Sequence, residues 1–327
     1  MCMRHSAVQE ASSQFAGDVA HYLSQTPRQL PSRHLYDELG SALFEAICRL
    51  PWYGITRAEH GLLERRAGDV FARVDPLSTV VELGPGSGLK LATFLSARPA
   101  GAMTVHLVDV SGAALDAAGR LLAGDIDLVV VPHEATYEAG LGRVAVDGPA
   151  NGRTLVLFLG SNIGNFDPPG ADAFLRVIRR AIAPGDSLLL GADLVKPERE
   201  LLLAYDDPLG VTAAFNRNLL VRANDELDAD FALDGFEHRA VWNPGASRVE
   251  MHLVSTRRQR ARVPKADLDI TFEAGDTIWT ESSYKYRADQ IVAMVERAGF
   301  RTTDQWSDEG FALTLASAHE RGSEPVY

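Results

Sequence analysis

Three glycines at alternate positions, Gly84, Gly86 and Gly88, follow the apolar run Val80-Val81-Glu82-Leu83. The run reads as a strand, and Leu91 to Leu95 can open a helix, so the glycines fall at the turn between them. Glycine tolerates a left-handed backbone and lets a ligand approach with no Cβ in the way. A ligand lying across this turn is therefore expected. The dinucleotide fingerprint G-x-G-x-x-G does not fit, because position 89 is Leu89. The pattern is G-x-G-x-G, preceded by the acid Glu82. The plain alternative is a tight strand–helix turn that binds nothing.

Three other groups of residues carry possible chemistry. Asp109 ends the next predicted strand, where an acid in a nucleoside-binding α/β fold accepts hydrogen bonds from ribose hydroxyls. Its alternative role is a helix N-cap. Asn162 and Asn165 flank Gly164 just after the fourth predicted strand. Their amides can orient an amine or a carboxylate, but Asn-Ile-Gly-Asn is equally adequate as a polar turn. Both readings stay open. Glu281 and Ser283 lie two apart, so in a strand they share a face and could hold a ring with two nitrogen sites. A solvated edge strand is the commoner origin of such a pair.

The elements that position these residues alternate. Strands are expected over Thr104 to Val108, Ile126 to Val131, Leu155 to Leu159 and Ser187 to Leu190. Helices are expected over Gly112 to Leu122 and Ala171 to Ile182. Repeated β-α units imply a parallel sheet covered by helices, with ligands at the carboxyl ends of its strands. Upstream, helices are expected over Phe15 to Gln25 and Glu59 to Phe71, around an aromatic-rich stretch from Leu35 to Tyr53. Residues 201–284 break the alternation, with helices near Glu200 to Tyr205 and Val211 to Val221. Strands follow over Arg239 to Trp242, Arg248 to Ser255 and Leu268 to Phe272. A helix, Ala288 to Ala298, and two strands, Arg301 to Trp306 and Phe311 to Ser317, complete the pattern.

Composition narrows the class. The formal charge of −12 argues against sequence-independent nucleic-acid binding. Cys2 and Cys48 form no disulfide framework and no zinc spacing. No apolar run approaches a membrane span, and the start has no signal-peptide core. A cytoplasmic monomer acting on a small molecule, with no metal, membrane or nucleic-acid partner, is expected.

The G-x-G-x-G turn after Glu82 resembles the S-adenosylmethionine turn of class I methyltransferases. Several stretches together resemble the histidine-specific Nα-methyltransferases of ergothioneine biosynthesis: Leu35-Tyr36-Asp37, Leu50-Pro51 through Thr56-Arg57, Val81 to Gly84, and Phe158 to Asn165. Leu188 to Lys196, Ala204-Tyr205-Asp206-Asp207, Gly210 to Asn218, Val249-Glu250-Met251 and Thr280 to Ser283 add to these. The resemblance runs from about residue 15 to the C-terminus. It implies an α/β fold, a class I methyltransferase Rossmann-like sheet with an inserted α+β substrate-binding domain. It assigns residues 61–200 and 285–327 to the methyltransferase domain, 201–284 to the insertion, and 1–60 to a segment joining the substrate domain.

The resemblance also implies roles. Gly84, Gly86, Lys90 and Asp109, with Thr136 and Tyr137, belong to the S-adenosylmethionine site. Asn165 and Tyr205 hold the histidine carboxylate, and Glu281, Ser283 and Tyr53 bind the imidazole. Tyr36, Phe44, Gly160, Asn162 and Met251 line the pocket, with Tyr36 and Asn165 closest to the chemistry. Three positions depart from the family pattern: Asn162 stands for a threonine, Gly54-Ile55 for a tyrosine and a proline, and Ala135-Thr136-Tyr137 for an Asp followed by an aromatic. The implied reaction is methylation of the α-amine of L-histidine to its trimethyl betaine. The alternatives are another amine substrate, such as an indole amino acid, or a non-catalytic S-adenosylmethionine-binding protein.

Overall fold

The computed structural model describes residues 2–147 and 152–319, and every site residue expected above lies among them. The chain divides into two compact units: Met1–Tyr53 with Lys196–Ser283, and Gly54–Val195 with Tyr284–Tyr327.

The second unit is built on a seven-stranded sheet. Its strands are β1 (Leu77–Leu83), β2 (Met103–Asp109), β3 (Leu128–Glu134), β4 (Arg153–Phe158), β5 (Ser187–Asp193), β6 (Phe300–Asp308) and β7 (Phe311–Ala318). Their spatial order is β6-β7-β5-β4-β1-β2-β3. The central strands run parallel, and β7 is antiparallel to both β5 and β6. This is the class I methyltransferase sheet, and the order reverses at β1, so the glycine turn sits at the switch point. Every residue of Val80–Leu83 and of β5 is buried, which requires cover on both faces. On one face Val81, Val156 and Leu188 share a core with Leu141, Phe174, Ile291 and Val295 of helices Tyr137–Asp147, Pro168–Ala181 and Ala288–Arg297. Helix Gly54–Val74 also packs in this unit, stacking Phe71 on Phe94 with ring centroids 4.7 Å apart.

The first unit carries a four-stranded sheet in the order Arg28–Gln29, Thr277–Tyr284, Arg248–Ser255, Phe236–Asn243. A separate antiparallel pair joins Gln259–Val263 to Leu268–Phe272. Helix Glu38–Cys48 is capped by Asp37, whose Oδ1 accepts from the Gly40 N–H and from Asn218 Nδ2 on helix Val211–Glu226, both at 2.7 Å. One carboxylate thus caps one helix and ties it to a second. Among the described residues, no helix is long and apolar enough to cross a membrane.

Several boundaries differ from the sequence reading. The third sheet strand starts at Leu128, and Ile126, expected to open it, is 97% exposed in the preceding loop. Helix Gly54–Val74 begins five residues before Glu59, so Glu59 sits inside a helix and is fully buried. Strand Gln259–Val263 and helix Tyr137–Asp147 were not anticipated, since arginines in the first and paired glycines in the second blur the period. The first helix spans Cys2–Leu23, longer than Phe15 to Gln25 at its start.

One buried ion pair holds the end of β5. Lys285 Nζ lies 2.8 Å from Asp193 Oδ2, with side chains 0% and 1% exposed. Lys285→Met leaves that carboxylate without its counter-charge, which costs about 3–5 kcal/mol when one partner of a buried pair is removed. Urea unfolding is expected to show the loss; a wild-type midpoint for this variant contradicts it.

Candidate functional site

The glycine turn follows β1 directly. Gly84, Gly86 and Gly88 have φ of +77°, +54° and +77°, a region that side chains rarely enter. The Gly84 N–H donates to Val108 O at 2.9 Å, which holds the turn against β2. A Cβ on Gly84 would meet Tyr137 Oη at 2.8 Å and Asn162 Nδ2 at 3.0 Å. The turn, the start of helix Tyr137–Asp147 and the loop after β4 therefore converge at the carboxyl end of the sheet.

Acids surround this turn. Asp109 accepts the Ser111 N–H at 2.8 Å. Helix Gly112–Leu122 is capped by Ser111, not by Asp109, so the capping alternative for Asp109 falls. Burial raises the Asp109 pKa, and backbone N–H groups of Ser111, Val110 and Gly86 oppose that rise. Glu82 is 1% exposed, and among the described residues neither of its carboxylate oxygens has a hydrogen-bond partner. Burial pushes its pKa up to about 7; Lys90 pulls it down, while Glu59 and Asp109 add to the rise. Glu59, which the sequence offered only as the start of a helix, lies between two elements. Its Oε1 accepts the Gly160 N–H at 2.6 Å, and its Oε2 sits 3.0 Å from Lys90 Nζ. A Cβ on Gly160, which has φ +75°, would fall 2.8 Å from that Lys90 nitrogen.

The loop after β4 is strained. Ser161 holds φ +57°, and its Oγ accepts the Asp193 N–H at 2.9 Å. Asn162–Asn165 forms a single 3-10 turn, with both asparagines half-buried. Asn162 reaches Gly84 and Gly160, and a Cβ on Gly164 would lie 2.8 Å from the Tyr284 carbonyl. Thr136 is exposed, and its Oγ1 accepts the Ala139 N–H at 3.4 Å at the start of a helix. Its neighbour Tyr137 turns inward, with its ring 5.6 Å from that of Phe158 and its phenol kept protonated by burial.

The first unit gathers the other set of expected residues. Tyr36 meets Phe44 and Phe215 with ring centroids 5.5 Å apart in each case. Phe44 lies 6.2 Å from Tyr53, and Tyr53 lies 6.3 Å from Tyr205. Tyr205 Oη donates to Ser283 Oγ at 2.7 Å. Glu281 and Ser283 are 9% and 4% exposed, and Met251 on the adjoining strand is buried, so the solvated edge-strand reading does not hold. Burial, then Tyr205, Cys48, Tyr36 and Glu281, raises the Tyr53 pKa and keeps it a neutral hydroxyl. Phe215 joins this aromatic cluster although its place on the buried face of helix Val211–Glu226 reads as ordinary core.

The chain also matches known proteins. Residues 15–319 match the family described as histidine-specific methyltransferase, SAM-dependent. The chain is 40% identical to a histidine N-alpha-methyltransferase of Mycolicibacterium smegmatis, over 95% of this chain and 97% of that protein. It is 41% identical to the enzyme of the same name from Mycobacterium tuberculosis, over 92% and 94%. A more distant relative, ergothioneine biosynthesis protein 1 of Neurospora crassa, is 28% identical over 86% of this chain and 32% of that protein.

The residues around the turn fit S-adenosylmethionine. The glycines admit a close ligand, Asp109 suits ribose hydroxyls, and the orphaned Glu82 carboxyl calls for a cationic or N–H partner. A cation binds the ionised carboxylate, so affinity falls as pH drops below about 7. With one linked proton, Kd rises at most roughly tenfold per pH unit. Calorimetry across pH 5.5–8 is expected to show this slope in wild type, as a rough window around that pKa. Glu82→Gln should bind more weakly and without the slope; an unchanged slope in that variant removes Glu82 from the cofactor site.

Proposed function

Because this chain belongs to the family of SAM-dependent, histidine-specific methyltransferases, we propose that it methylates the α-amine of L-histidine, up to the trimethyl betaine hercynine, as the first step of ergothioneine biosynthesis. The observation that carries the substrate is the buried Glu281–Ser283 pair, joined by Tyr205 within the aromatic cluster. An imidazole offers two ring nitrogens, and a carboxylate beside a hydroxyl can satisfy both.

S-adenosylmethionine, when bound, supplies an electrophilic methyl group on a sulfonium. Gly84, Gly86, Lys90, Asp109, Glu82 and Tyr137 hold it in this reading, and Asn165 takes the substrate carboxylate. The protein's task is then mainly to position a neutral amine. Tyr36, half-buried against Phe44 and Phe215, is the proposed route by which the amine loses its proton to water. Each added methyl makes the amine bulkier and finally fixes its positive charge. Aromatic faces stabilise such a cation by about 0.5–2 kcal/mol, which suits successive transfers. The same reading makes the protein a monomer and places it in the cytoplasm, which fits its two cysteines outside any disulfide pattern.

An indole amino acid is the competing substrate. It presents one N–H and a larger ring, so Glu281 would be buried with a poorly matched partner. Wild type is expected to add methyl groups to histidine, read by mass spectrometry, and to prefer it strongly over tryptophan. Glu281→Ala should lose most histidine activity and narrow the ratio of the two kcat/KM values, because the element that repels indole is gone. A ratio that survives the substitution unchanged means that Glu281 does not read the ring.

A further inference from the structure

The pocket-lining residues of the first unit come from separate elements, and one buried amide lies among those elements. Asn216, on helix Val211–Glu226, is 0% exposed. Its Nδ2 donates to His252 O at 3.2 Å and to His238 Nδ1 at 2.9 Å. Its Oδ1 accepts from Thr280 Oγ1 at 2.6 Å. The orientation is fixed, since only a nitrogen can face the His252 carbonyl. His238 Nδ1 must then be an acceptor, which leaves the ring proton on Nε2. That Nε2–H points at the Tyr205 carbonyl, 2.8 Å away. Burial lowers the His238 pKa despite this carbonyl and the nearby Asp206, so the ring is neutral, as the tautomer requires.

The chain of bonds closes on the pocket. Tyr205 is held at its carbonyl by His238 and at its hydroxyl by Ser283. Thr280 immediately precedes Glu281, and its Oγ1 also lies 3.0 Å from Met251 O. Tyr205, Met251, Glu281 and Ser283 therefore all lie on segments that Asn216 holds, directly or through His238. None of Asn216, His238 and Thr280 belongs to the contact set expected for the substrate.

We propose that Asn216, with His238 and Thr280, is the positioning network of the substrate pocket: it fixes Tyr205 against Ser283 and so sets the affinity for the amino acid. This rests on the histidine-binding reading of Glu281 and Ser283. The network's hydrogen bonds join residues of the first unit only, and none reaches an expected cofactor residue, so its effect falls on substrate affinity.

The test compares Asn216→Asp, Thr280→Val, His238→Leu and His238→Gln with wild type. Steady-state kinetics with histidine and calorimetry with S-adenosylmethionine are the readouts. Asn216→Asp is isosteric but sets an oxygen against the His252 carbonyl. Thr280→Val keeps shape and removes only the hydroxyl. Glutamine at 238 can still offer an N–H towards Tyr205 O, and leucine cannot. Asn216→Asp, Thr280→Val and His238→Leu are each expected to raise the histidine KM about tenfold, the scale of one lost buried hydrogen bond. Cofactor Kd should stay at the wild-type value, and kcat should change far less than KM. His238→Gln should recover most of the affinity. Wild-type KM in Thr280→Val and His238→Leu overturns the proposal, as does a His238→Gln variant as impaired as His238→Leu. If Asn216→Asp does not fold, Thr280→Val and the His238 pair decide. A wild type that turns over histidine while its variants are unchanged removes this inference alone. A wild type with no histidine turnover removes the functional reading and the inference with it.

Discussion

A charge taken out of water must find a partner, and this constraint orders the carboxyl end of the sheet. Three carboxylates are buried there: Glu59, Glu82 and Asp193. Asp193 is matched by Lys285. Glu59 is matched by Lys90 and by a backbone N–H donated from Gly160. Those contacts tie a helix, the segment after the glycine turn and the loop after β4 into one arrangement. Among the described residues, Glu82 alone of the three has neither a hydrogen-bond nor an ion-pair partner. An uncompensated buried carboxyl is expensive, which fits the proposed cofactor site beside it.

The first unit gathers aromatic rings and hydroxyls instead, with an amide and a neutral histidine behind them. Aromatic faces of this kind suit the permanent cation that the proposed reaction would produce. In the proposed reading, selectivity falls to the ring end, where Glu281 is buried. A buried carboxylate discriminates less by attraction than by the penalty it imposes on a ring that cannot pair with it.

The sheet was legible because most of its strands are apolar runs broken by glycine and proline, and β-α alternation implies that they run parallel; the order of the strands came only with the structure. The glycine turn and Asp109 stood out by spacing, whereas spacing put Glu281 and Ser283 on one strand face and left a solvated edge as the commoner reading; only the family resemblance gave them a role. Glu59 was not: an acid in an amphipathic helix ordinarily faces water, and only the packed structure shows it buried against Lys90. Glu82 was seen only as part of a pattern, since the lack of a partner is a property of three-dimensional surroundings. Asn216 and His238 sit twenty-two residues apart, and their pairing depends on how a helix crosses a sheet. Ser161 gives no hint of its left-handed backbone, which non-glycine residues seldom adopt.

The nearness of Lys90 to Gly160 has a consequence for descent. The ammonium fills the volume that a side chain at 160 would claim, and the φ of +75° discourages one independently. A methyl group at 160 would press the lysine away from Glu59, and a shorter residue at 90 would leave Glu59 buried without its cation. Although seventy residues apart in the chain, the two positions are expected to change together or not at all, together with the acid that both touch.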